Sequence, residues 1–496
     1  MRGRIDGISG WFNSRFSAAL SLCAAGLFLA GVGLSASDFR QPNPRKSNVQ
    51  PKRAEKISPP LTANRPITPR DFDPSEPPWI ELFGVTCVSE SDCWAVGTRR
   101  SHTFTEHWDG TSWTFVFSPD IDPAHNHHEL LAVTCNSATD CWAVGARSDL
   151  TSPAIYTLIE HWNGTSWSIV DSPNAPSTVH NRLNSVTCSS ASDCWAVGYS
   201  TVSGGVSTLI QHWDGNTWTI VSSPNRASAI YSSLSGVACR SGSDCSAVGH
   251  SKVSASSKER TLIEHWNGTT WEIVSSVDPD PGTCLLNSIA CPSPPLCWAA
   301  GYVHDGNGFV TLIEKWDGSS WTWVYPPDVG KESNFGQSIA CNSAADCWIV
   351  GHHDDEGRFI AHLNGTSGAG TVFASGSRPP DRFNGVACGS ASSCWAVGGG
   401  FFSGAAHIEH WNGTSWKQYP VESIVRIDAI NRSANFVMMI DGHGPPNMLV
   451  ELDAAADLSS YADTVATVMT DANGAFHIED TTGEPGPERF YRVVLQ

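Results

Sequence analysis

LNSVTCSSASDCWAVG (residues 183–198) and TLIQHWDGNTWTIV (residues 208–221) decide the fold of this 496-residue chain. They contain four short runs rich in aromatic and β-branched residues: Leu183–Cys188, Cys194–Gly198, Thr208–Trp213 and Trp218–Val221. Short runs of this composition, bounded by polar or glycine-containing turns, predict four strands. Asp214 and Gly215 between the last two runs are typical of a tight hairpin, because both tolerate positive φ. The two stretches therefore predict one four-stranded antiparallel sheet.

The same unit recurs seven times, and its most regular feature is a pair of cysteines with five residues between them. Successive pairs begin about 50 residues apart, a period typical of repeat architectures. The pairs are Cys87/Cys93, Cys135/Cys141, Cys188/Cys194, Cys239/Cys245, Cys291/Cys297, Cys341/Cys347 and Cys388/Cys394. Seven four-stranded sheets around one axis form a seven-bladed β-propeller. We therefore predict an all-β propeller in which each blade has a C-x5-C disulfide hairpin.

Three tryptophan positions recur in most units, and in the third unit they are Trp195, Trp213 and Trp218. Because propeller blades pack face to face, large side chains that bury roughly 150–250 Å² each are expected between them. We interpret the tryptophans as packing residues rather than as a sugar-binding series. The fourth unit has Ser246 at the first position, and the sixth unit lacks the two tryptophans around its turn. The sixth blade is therefore expected to be the least stable.

Residues 1–37 predict an export signal. Three arginines precede an apolar run over residues 17–34, and small residues 35–37 form a candidate cleavage site. An uncleaved anchor is the alternative, because about 18 apolar residues are the shortest membrane span. We expect an exported protein that is secreted, periplasmic or at the cell surface.

Export and the cysteine pattern support each other, because disulfides persist in oxidising compartments. If Cys23 leaves with the signal, 15 of the 16 cysteines remain, which is seven pairs and Cys284. Zinc is the alternative interpretation of the pairs. Zinc sites usually combine two close pairs, whereas each pair here belongs to a different unit. We therefore favour disulfides that act locally, each stapling the first hairpin of its own blade, and we expect no metal or cofactor.

The chain divides into four parts by composition. Residues 38–79 are rich in proline, lysine and arginine without a hydrophobic period, which is typical of an extended linker. The propeller is predicted over residues 80–420. The tail over residues 421–496 contains Thr470–Phe476 and ends with Arg489–Val493, and both segments resemble small β-sandwich modules that end many exported bacterial proteins. A C-terminal β module is therefore expected.

The repeat motifs resemble those of the sialidase-type, Asp-box β-propeller superfamily, and in particular propellers similar to photosystem II assembly and stability factors. Those propellers have a G-W-A-V-G strand followed by an Asp-Gly-Gly-x-x-Trp turn. Cys194–Gly198 and Asp214–Trp218 lie at the corresponding places, and the likeness covers residues 80–420. The resemblance implies the propeller fold. The cysteine pairs depart from those families, and no feature of the sequence indicates a photosystem.

Strand order predicts where function lies. In an antiparallel blade the cysteine turns and Asx-Gly turns share one face of the ring, and the variable loops and blade links share the other. Functional loops are expected on the variable face. Two polar clusters of zinc-compatible side chains lie there as candidate binding residues: His125, His127, His128 and Glu129 after blade one, and His352, His353, Asp354, Asp355 and Glu356 in the second–third loop of blade six. The alternative is that both clusters are solvated loop residues without a ligand. The histidines that precede most turn tryptophans, such as His212, are interpreted as structural.

Composition and motifs reduce the number of function classes to consider. The formal net charge of −19 argues against nucleic acid, which requires a basic face. The strong motifs are all architectural, so we expect a monomeric, non-enzymatic module that binds a protein or glycan partner on the variable face. A sialidase-like glycoside hydrolase or polysaccharide lyase is the first alternative, although arginines are scarce in the ring. A cell-surface structural component, held by the tail or by an uncleaved anchor, is the second.

Overall fold

The computed structural model describes residues 80–99, 101–119, 126–149, 154–176, 178–202, 204–278, 282–325, 333–353, 357–365, 370–374, 381–400 and 406–419, and six strands between residues 426 and 495. Within these ranges no helix is long and apolar enough to cross a membrane. The predicted export signal (residues 1–37) and linker (residues 38–79) lie outside the described residues.

The first 28 strands form seven consecutive blades of four. Blades 1 to 4 comprise β1 Ile80–Ser89, β2 Asp92–Arg99, β3 His102–Trp108, β4 Trp113–Val116; β5 Asn126–Ser137, β6 Asp140–Asp149, β7 Ile155–Trp162, β8 Trp167–Val170; β9 His180–Ser190, β10 Asp193–Val202, β11 Gly205–Trp213, β12 Trp218–Val221; and β13 Tyr231–Ser241, β14 Asp244–Lys252, β15 Arg260–Trp266, β16 Trp271–Val274. Blades 5 to 7 comprise β17 Cys284–Ser293, β18 Leu296–His304, β19 Phe309–Trp316, β20 Trp321–Val324; β21 Asn334–Ser343, β22 Asp346–His353, β23 Gly357–Asn364, β24 Gly370–Ala374; and β25 Asp381–Ser390, β26 Ser393–Gly400, β27 Ala406–Trp411, β28 Trp416–Tyr419. In every blade the strands pair in sequence order.

The blades form a closed ring. The first strands of successive blades contact one another, so they form the inner wall, and the fourth strands lie farthest out. Blade 7 closes onto blade 1 through the Arg382 guanidinium, whose Nη2 lies 2.6 Å from Glu81 Oε1. The Trp395 ring also packs against Trp108, with centroids 4.7 Å apart. The predicted seven-bladed β-propeller is confirmed.

All seven predicted disulfides are formed, and each joins the first two strands of its own blade. The bonded pairs are Cys87–Cys93, Cys135–Cys141, Cys188–Cys194, Cys239–Cys245, Cys291–Cys297, Cys341–Cys347 and Cys388–Cys394. In blade 3 the two cysteines lie directly opposite each other in the ladder of β9 and β10. The C-x5-C pairing predicted from the sequence is therefore confirmed.

The prediction of a purely local role for these disulfides is too narrow, because the two cysteines of each pair differ in burial. The first cysteine is half-buried. The second is 0 to 1% exposed in every blade and belongs to the hydrophobic core: Cys93, Cys141, Cys194, Cys245, Cys297, Cys347 and Cys394.

The second cysteine of each pair clusters with side chains of the preceding blade. Cys194 of blade 3, for example, packs with Trp142 and Val144 of blade 2. The other six repeat this arrangement: Cys93 with Trp395, Cys141 with Trp94, Cys245 with Trp195, Cys297 with Val248, Cys347 with Trp298 and Cys394 with Trp348. Each disulfide thus staples its hairpin and also fills part of a blade interface, which the period of the sequence alone does not show.

The glycine that ends the Cys-Trp-Ala-Val-Gly motif is required by a close backbone approach. In blade 3, a Cβ on Gly198 would come within 1.9 Å of the Arg182 carbonyl oxygen on the neighbouring strand. Any larger residue would force β9 and β10 apart at this point.

The core lies between blades rather than inside one. Trp195 of blade 3 packs against Leu234, Leu262 and Trp271 of blade 4. Its ring meets Trp271 edge to face, with centroids 5.3 Å apart, a geometry worth about 0.5–1.5 kcal/mol beyond the area buried. The recurring tryptophans therefore stabilise the blade interfaces, as the sequence predicts.

The tail forms two three-stranded antiparallel sheets, which confirms the small C-terminal β module. One sheet has the order β29 Arg426–Arg432, β30 Met438–His443, β33 Ala475–Asp480, and the other has the order β32 Asp463–Met469, β31 Leu449–Ala455, β34 Phe490–Leu495.

Candidate functional site: the variable face

The cysteine turns and the Asx-Gly turns lie at the same end of the blades, which we call the architectural face. In blade 3 the Trp213 indole, beside the Asx-Gly turn, donates a hydrogen bond to the Ala191 carbonyl in the cysteine turn at 3.2 Å. Gly215 has φ of 95°, and a Cβ there would lie 2.9 Å from the Ser192 Cβ. Both turns are thus fixed against each other, which leaves the opposite end, the variable face, for loops that differ between blades.

Backbone hydrogen bonds fix the blade links on the variable face. Val179 lies directly before β9. Its N–H donates to the Thr201 carbonyl at 3.3 Å, and its own carbonyl accepts from the Ile155 N–H at 3.0 Å. The link therefore bridges the third strand of blade 2 and the second strand of blade 3, and the Val179 backbone has a defined position.

The next link repeats this arrangement one blade further on. Ile230 lies directly before β13. Its N–H donates to the Lys252 carbonyl at 2.9 Å, and its carbonyl accepts from the Val206 N–H at 3.0 Å. Val206 in turn pairs with Thr201 in the β10–β11 ladder. Val253, next to Lys252, begins the second–third loop of blade 4. A continuous chain of backbone contacts therefore runs from blade 2 to blade 4.

Five aliphatic residues lie along this chain and form what we call the aliphatic rim. Val179, Ile230 and Val253 are 49%, 39% and 49% exposed, and Ile155 and Val206 are half-buried. Exposed apolar side chains that follow one another along an ordered backbone are a candidate interaction surface. The sequence prediction missed the rim. An aliphatic residue directly before the first strand of the third and fourth units was the only signal.

The first predicted polar cluster lies in a strand rather than in a loop, which corrects its placement. His127, His128 and Glu129 belong to β5, because the ladder with β6 extends as far as Asn126. His127 is exposed, whereas His128 is 1% exposed and its carbonyl accepts from Thr98 Oγ1 at 2.9 Å. His125 lies outside the described residues. Of the described histidines in this cluster, only His127 therefore presents its side chain to solvent.

Glu129 takes part in a polar group on the inner wall. Arg182 Nη1 lies 2.6 Å from Glu129 Oε1, and Tyr199 is the ladder partner of Arg182. Burial raises the pKa of Tyr199, with Glu129 adding to the rise and Arg182 opposing it. The Arg182 guanidinium is thus already neutralised by a carboxylate, and the Tyr199 phenol is harder to ionise than a free one.

The second predicted cluster is also partly in a strand, a second correction of placement. His352 and His353 end β22, where they pair with β21 and β23. The His352 ring stacks on Phe335 with centroids 4.9 Å apart, and burial, with a smaller contribution from Arg382, lowers the pKa of His352 to about 4. His353 Nδ1 hydrogen-bonds Asn334 Oδ1. The remaining members lie outside the described residues: Asp354, Asp355 and Glu356. In the described part of the chain no three His, Cys, Asp or Glu side chains are grouped to hold a metal ion.

The repeated histidines have structural partners. His212 Nε2 donates to Asp193 Oδ1 at 2.7 Å, and the ring stacks on Trp195 with centroids 4.2 Å apart. The same histidine–aspartate bond occurs in four other blades: His107/Asp92, His161/Asp140, His265/Asp244 and His362/Asp346. In blade 5, Lys315 lies over the Trp298 ring instead. The contacts agree with the structural interpretation of these residues.

An aromatic cluster is a further feature of the variable face that the sequence prediction missed. Phe309 begins β19, and its ring centroid lies 5.5 Å from that of Tyr302 and 4.9 Å from that of Phe335. Phe309 and Tyr302 are half-buried.

Cys284 lies between blades 4 and 5, and burial raises the pKa of its thiol to about 11, so it is unreactive.

The ring, its seven hairpin disulfides and its two unlike faces define the class of protein: a disulfide-bonded, seven-bladed β-propeller with one architectural and one variable face. No protein-family model matches the chain. No curated protein matches it in sequence.

Solved structures with a similar fold include the following three. YCF48 bound to D1 peptide is 14% identical over 71% of this chain and 98% of its own, with a TM-score of 0.44. YCF48 from Cyanidioschyzon merolae is 12% identical over 68% of this chain and 98% of its own, with a TM-score of 0.45. A PL25 polysaccharide lyase, an ulvan lyase, is 8% identical over 69% of this chain and 94% of its own, with a TM-score of 0.45. Likeness at this level concerns the fold alone.

Proposed function

We propose that the chain is an exported, non-enzymatic binding scaffold whose aliphatic rim docks a protein partner. The observation that carries the proposal is the line of exposed Val179, Ile230 and Val253 on the variable face. Aliphatic side chains gain free energy by burial against apolar groups, at roughly 25 cal/mol per Å². They offer nothing to a hydroxyl-rich ligand, so the rim favours a protein over a glycan.

The backbone around the rim supports this function. Both link residues are held by a donated and an accepted backbone hydrogen bond, as described for Val179 and Ile230. A surface that is already ordered loses little conformational freedom on binding. The seven disulfides support an oxidising environment, and the partner of an exported protein would be secreted or at a cell surface.

The polar residues predicted from the sequence are expected to contribute less to binding than the aliphatic rim. His127 is exposed on the same face of blade 2, whereas His128 is buried and His352 is half-buried. A partner that covers the rim would reach His127 at its edge. Replacing His127 should therefore weaken binding less than replacing a rim residue.

A glycan is the second candidate partner, favoured by the aromatic cluster of blades 5 and 6. Tyr302 and Phe309 present half-buried rings next to each other, and aromatic faces combine an apolar body with polar neighbours. A glycan array probed with wild type and with Phe309→Ala would show binding lost in the variant. No binding by either protein would exclude a glycan from this surface.

The enzyme alternative depends on the polar group of the inner wall. Sialidase-like chemistry requires arginines that are free to bind a substrate carboxylate and a tyrosine that ionises readily. Arg182 is instead paired with Glu129, and the pKa of Tyr199 is raised. We propose that this group is structural. Turnover of sialosides or uronic-acid polysaccharides by wild type, abolished by Tyr199→Phe, would establish the enzyme instead.

Site-specific photo-crosslinking tests the binding proposal. A photoreactive phenylalanine analogue replaces Val253 in the rim, and, as a matched control, Ile273 on outer strand β16, which is 37% exposed. The full chain is incubated with secreted and cell-surface proteins of the producing cells. We expect one or a few discrete adducts at position 253 and none at position 273. Equal labelling at both positions, or none at either, would contradict the proposal.

A further inference from the structure

A carboxyl or amide side chain is buried at one position of the third strand in six of the seven blades. The exposed fraction of these residues is 0 to 5%: Glu106, Glu160, Gln211, Glu264, Glu314 and Glu409. In blades 2 to 5 this side chain hydrogen-bonds the link that connects the preceding blade to its own, and in blade 7 it pairs with a side chain of blade 6. An ionised carboxylate at such a place is strongly unfavourable unless it is paired. The protonation state of these groups therefore bears on how the blades hold together.

Blade 3, which has the amide, shows what the site requires. Ser172 Oγ, from the link that follows blade 2, lies 3.2 Å from Gln211 Oε1, to which it donates. Gln211 Nε2 donates to the Pro173 carbonyl at 2.9 Å. The site therefore holds a side chain that accepts one hydrogen bond and donates another across the blade interface.

Glu264 occupies the same site between blades 3 and 4. Ser223 Oγ donates to Glu264 Oε2 at 2.9 Å, and also contacts Thr208 Oγ1 at 2.6 Å. A carboxylate only accepts hydrogen bonds, whereas a protonated carboxyl group accepts and donates as glutamine does. The neighbouring hydroxyls are neutral. Burial raises the pKa of Glu264 to about 8, with Ser223 opposing the rise.

Glu314 repeats the arrangement between blades 4 and 5. Its Oε2 accepts a hydrogen bond from the Val277 N–H at 3.3 Å. The titratable groups that act on it are the Asp278 carboxyl and the Cys284 thiol, and the Arg260 guanidinium contacts that thiol from blade 4. Burial raises the pKa of Glu314 to about 8, and the Asp278 charge adds to the rise.

In blade 7 the buried carboxylate is paired with an arginine instead. Glu409 Oε1 lies 3.1 Å from Arg358 Nη2 of blade 6, and both side chains are buried. A cation neutralises the carboxylate at this interface. Among the described residues, blades 4 and 5 use glutamates that form no ion pair of this kind, so the two kinds of interface should respond differently to pH.

We propose that Glu264 and Glu314 are protonated in the folded ring, so that their blade interfaces bury no unpaired charge and the ring is held more tightly in mildly acid than in alkaline surroundings. A folded-state pKa of about 8 lies above the usual glutamate value, 4.5. The unfolded chain therefore loses these protons first as the pH rises. The stability they contribute is complete below about pH 4.5 and is lost as the pH rises through 8.

Thermal unfolding of the full chain between pH 6.5 and pH 9, above the range in which His250 affects stability, tests the proposal in wild type and two variants. We expect the wild-type Tm to fall by at least roughly 4 °C over this range. The variant Glu264→Gln/Glu314→Gln should lose most of that slope and be more stable than wild type at pH 8. Gln211→Glu, the converse change, should steepen the slope. Equal slopes for wild type and the double variant would overturn the proposal.

An infrared measurement gives a readout that does not depend on stability. Folded wild type at pH 7 should show the C=O band of buried carboxylic acids, and the double glutamine variant should lack the part that belongs to these two residues. An unchanged band would overturn the proposal even if the Tm values agreed with it. Neither measurement involves the rim, so the outcome is independent of the binding function proposed above.

Discussion

His212 Nε2 and Asp193 Oδ1 lie 2.7 Å apart at the architectural end of blade 3, and the same imidazole stacks on Trp195. Asp193 belongs to the cysteine turn and His212 to the third strand. Their hydrogen bond therefore joins the disulfide hairpin to the outer half of its blade. Because the arrangement recurs in several blades, it is part of the repeat rather than of a binding site.

The first prediction follows from this bond. Asp193→Ala should lower the free energy of unfolding by roughly 1–2 kcal/mol, since it removes the hydrogen bonds that this partly exposed carboxylate accepts from His212 and Ser189. Chemical denaturation measures the change. Asp171→Ala, at an exposed position, is the charge-matched control and should have no effect. Added zinc should leave the Tm of both proteins unchanged, and a rise in Tm would indicate that the histidines bind metal.

The second prediction concerns the cysteines. Purified protein, denatured without reductant, should show one free thiol, that of Cys284, if the export signal has been removed, and two if Cys23 is retained. Cys188→Ala/Cys194→Ala should lower the free energy of unfolding by at least roughly 2 kcal/mol, because it opens a short hairpin loop and also removes the Cys194 sulfur from the interface with blade 2. Thiol titration gives the count, and a value well above two would contradict the seven disulfides.

The third prediction concerns a buried histidine, His250, that lowers the stability of the fold in acid. Burial lowers the pKa of His250 to about 4, with Glu259 opposing the shift, and its ring stacks on Tyr231. The unfolded chain takes up a proton near pH 6.5 and the folded chain does not, so stability is lost as the pH falls from 6.5 towards 4. His250→Tyr should reduce the slope of Tm over this range. His127→Tyr, at an exposed position, should leave the slope as it is.

The sixth blade should unfold locally more often than the other blades. Leu363 lies where other blades have the tryptophan before the turn, and it is buried, but it covers less of the neighbouring blade than an indole does. Ile360 in blade 6 and Ile210 in blade 3 are both fully buried third-strand residues. Native-state hydrogen exchange should therefore show lower protection for the Ile360 amide. Equal protection of the two amides would contradict the prediction.

The ring itself was predictable because its signals repeat. The position of Cys188, Trp195 and Asp214 in one unit is reproduced in nearly every other, so blade number, strand order and disulfide pairing follow from the period. Strand ends were less predictable. β9 begins at His180 and β10 ends at Val202, several residues beyond the apolar runs, because backbone pairing near the variable face does not depend on apolar side chains.

The binding surface was harder to predict for the opposite reason, since it lies where the units differ. His352 and His353 resemble loop ligands in the sequence, yet they are strand residues packed against Phe335 and bonded to Asn334. Val179 and Ile230 resemble ordinary strand-edge residues and are exposed. Whether an aliphatic residue next to a strand is buried depends on the neighbouring blade, which a single repeat does not show.

One comparison tests the central claim most directly. Ile230 in the rim and Ile220 on outer strand β12 have the same side chain and nearly equal exposure, 39% and 40%. Immobilised full-length wild type, Ile230→Asp and Ile220→Asp are each exposed to the partner identified by crosslinking, and bound partner is quantified. The account predicts at least about a tenfold loss of affinity, or roughly 1.4 kcal/mol, for Ile230→Asp and unchanged binding for Ile220→Asp. Equal binding by all three folded proteins would contradict it.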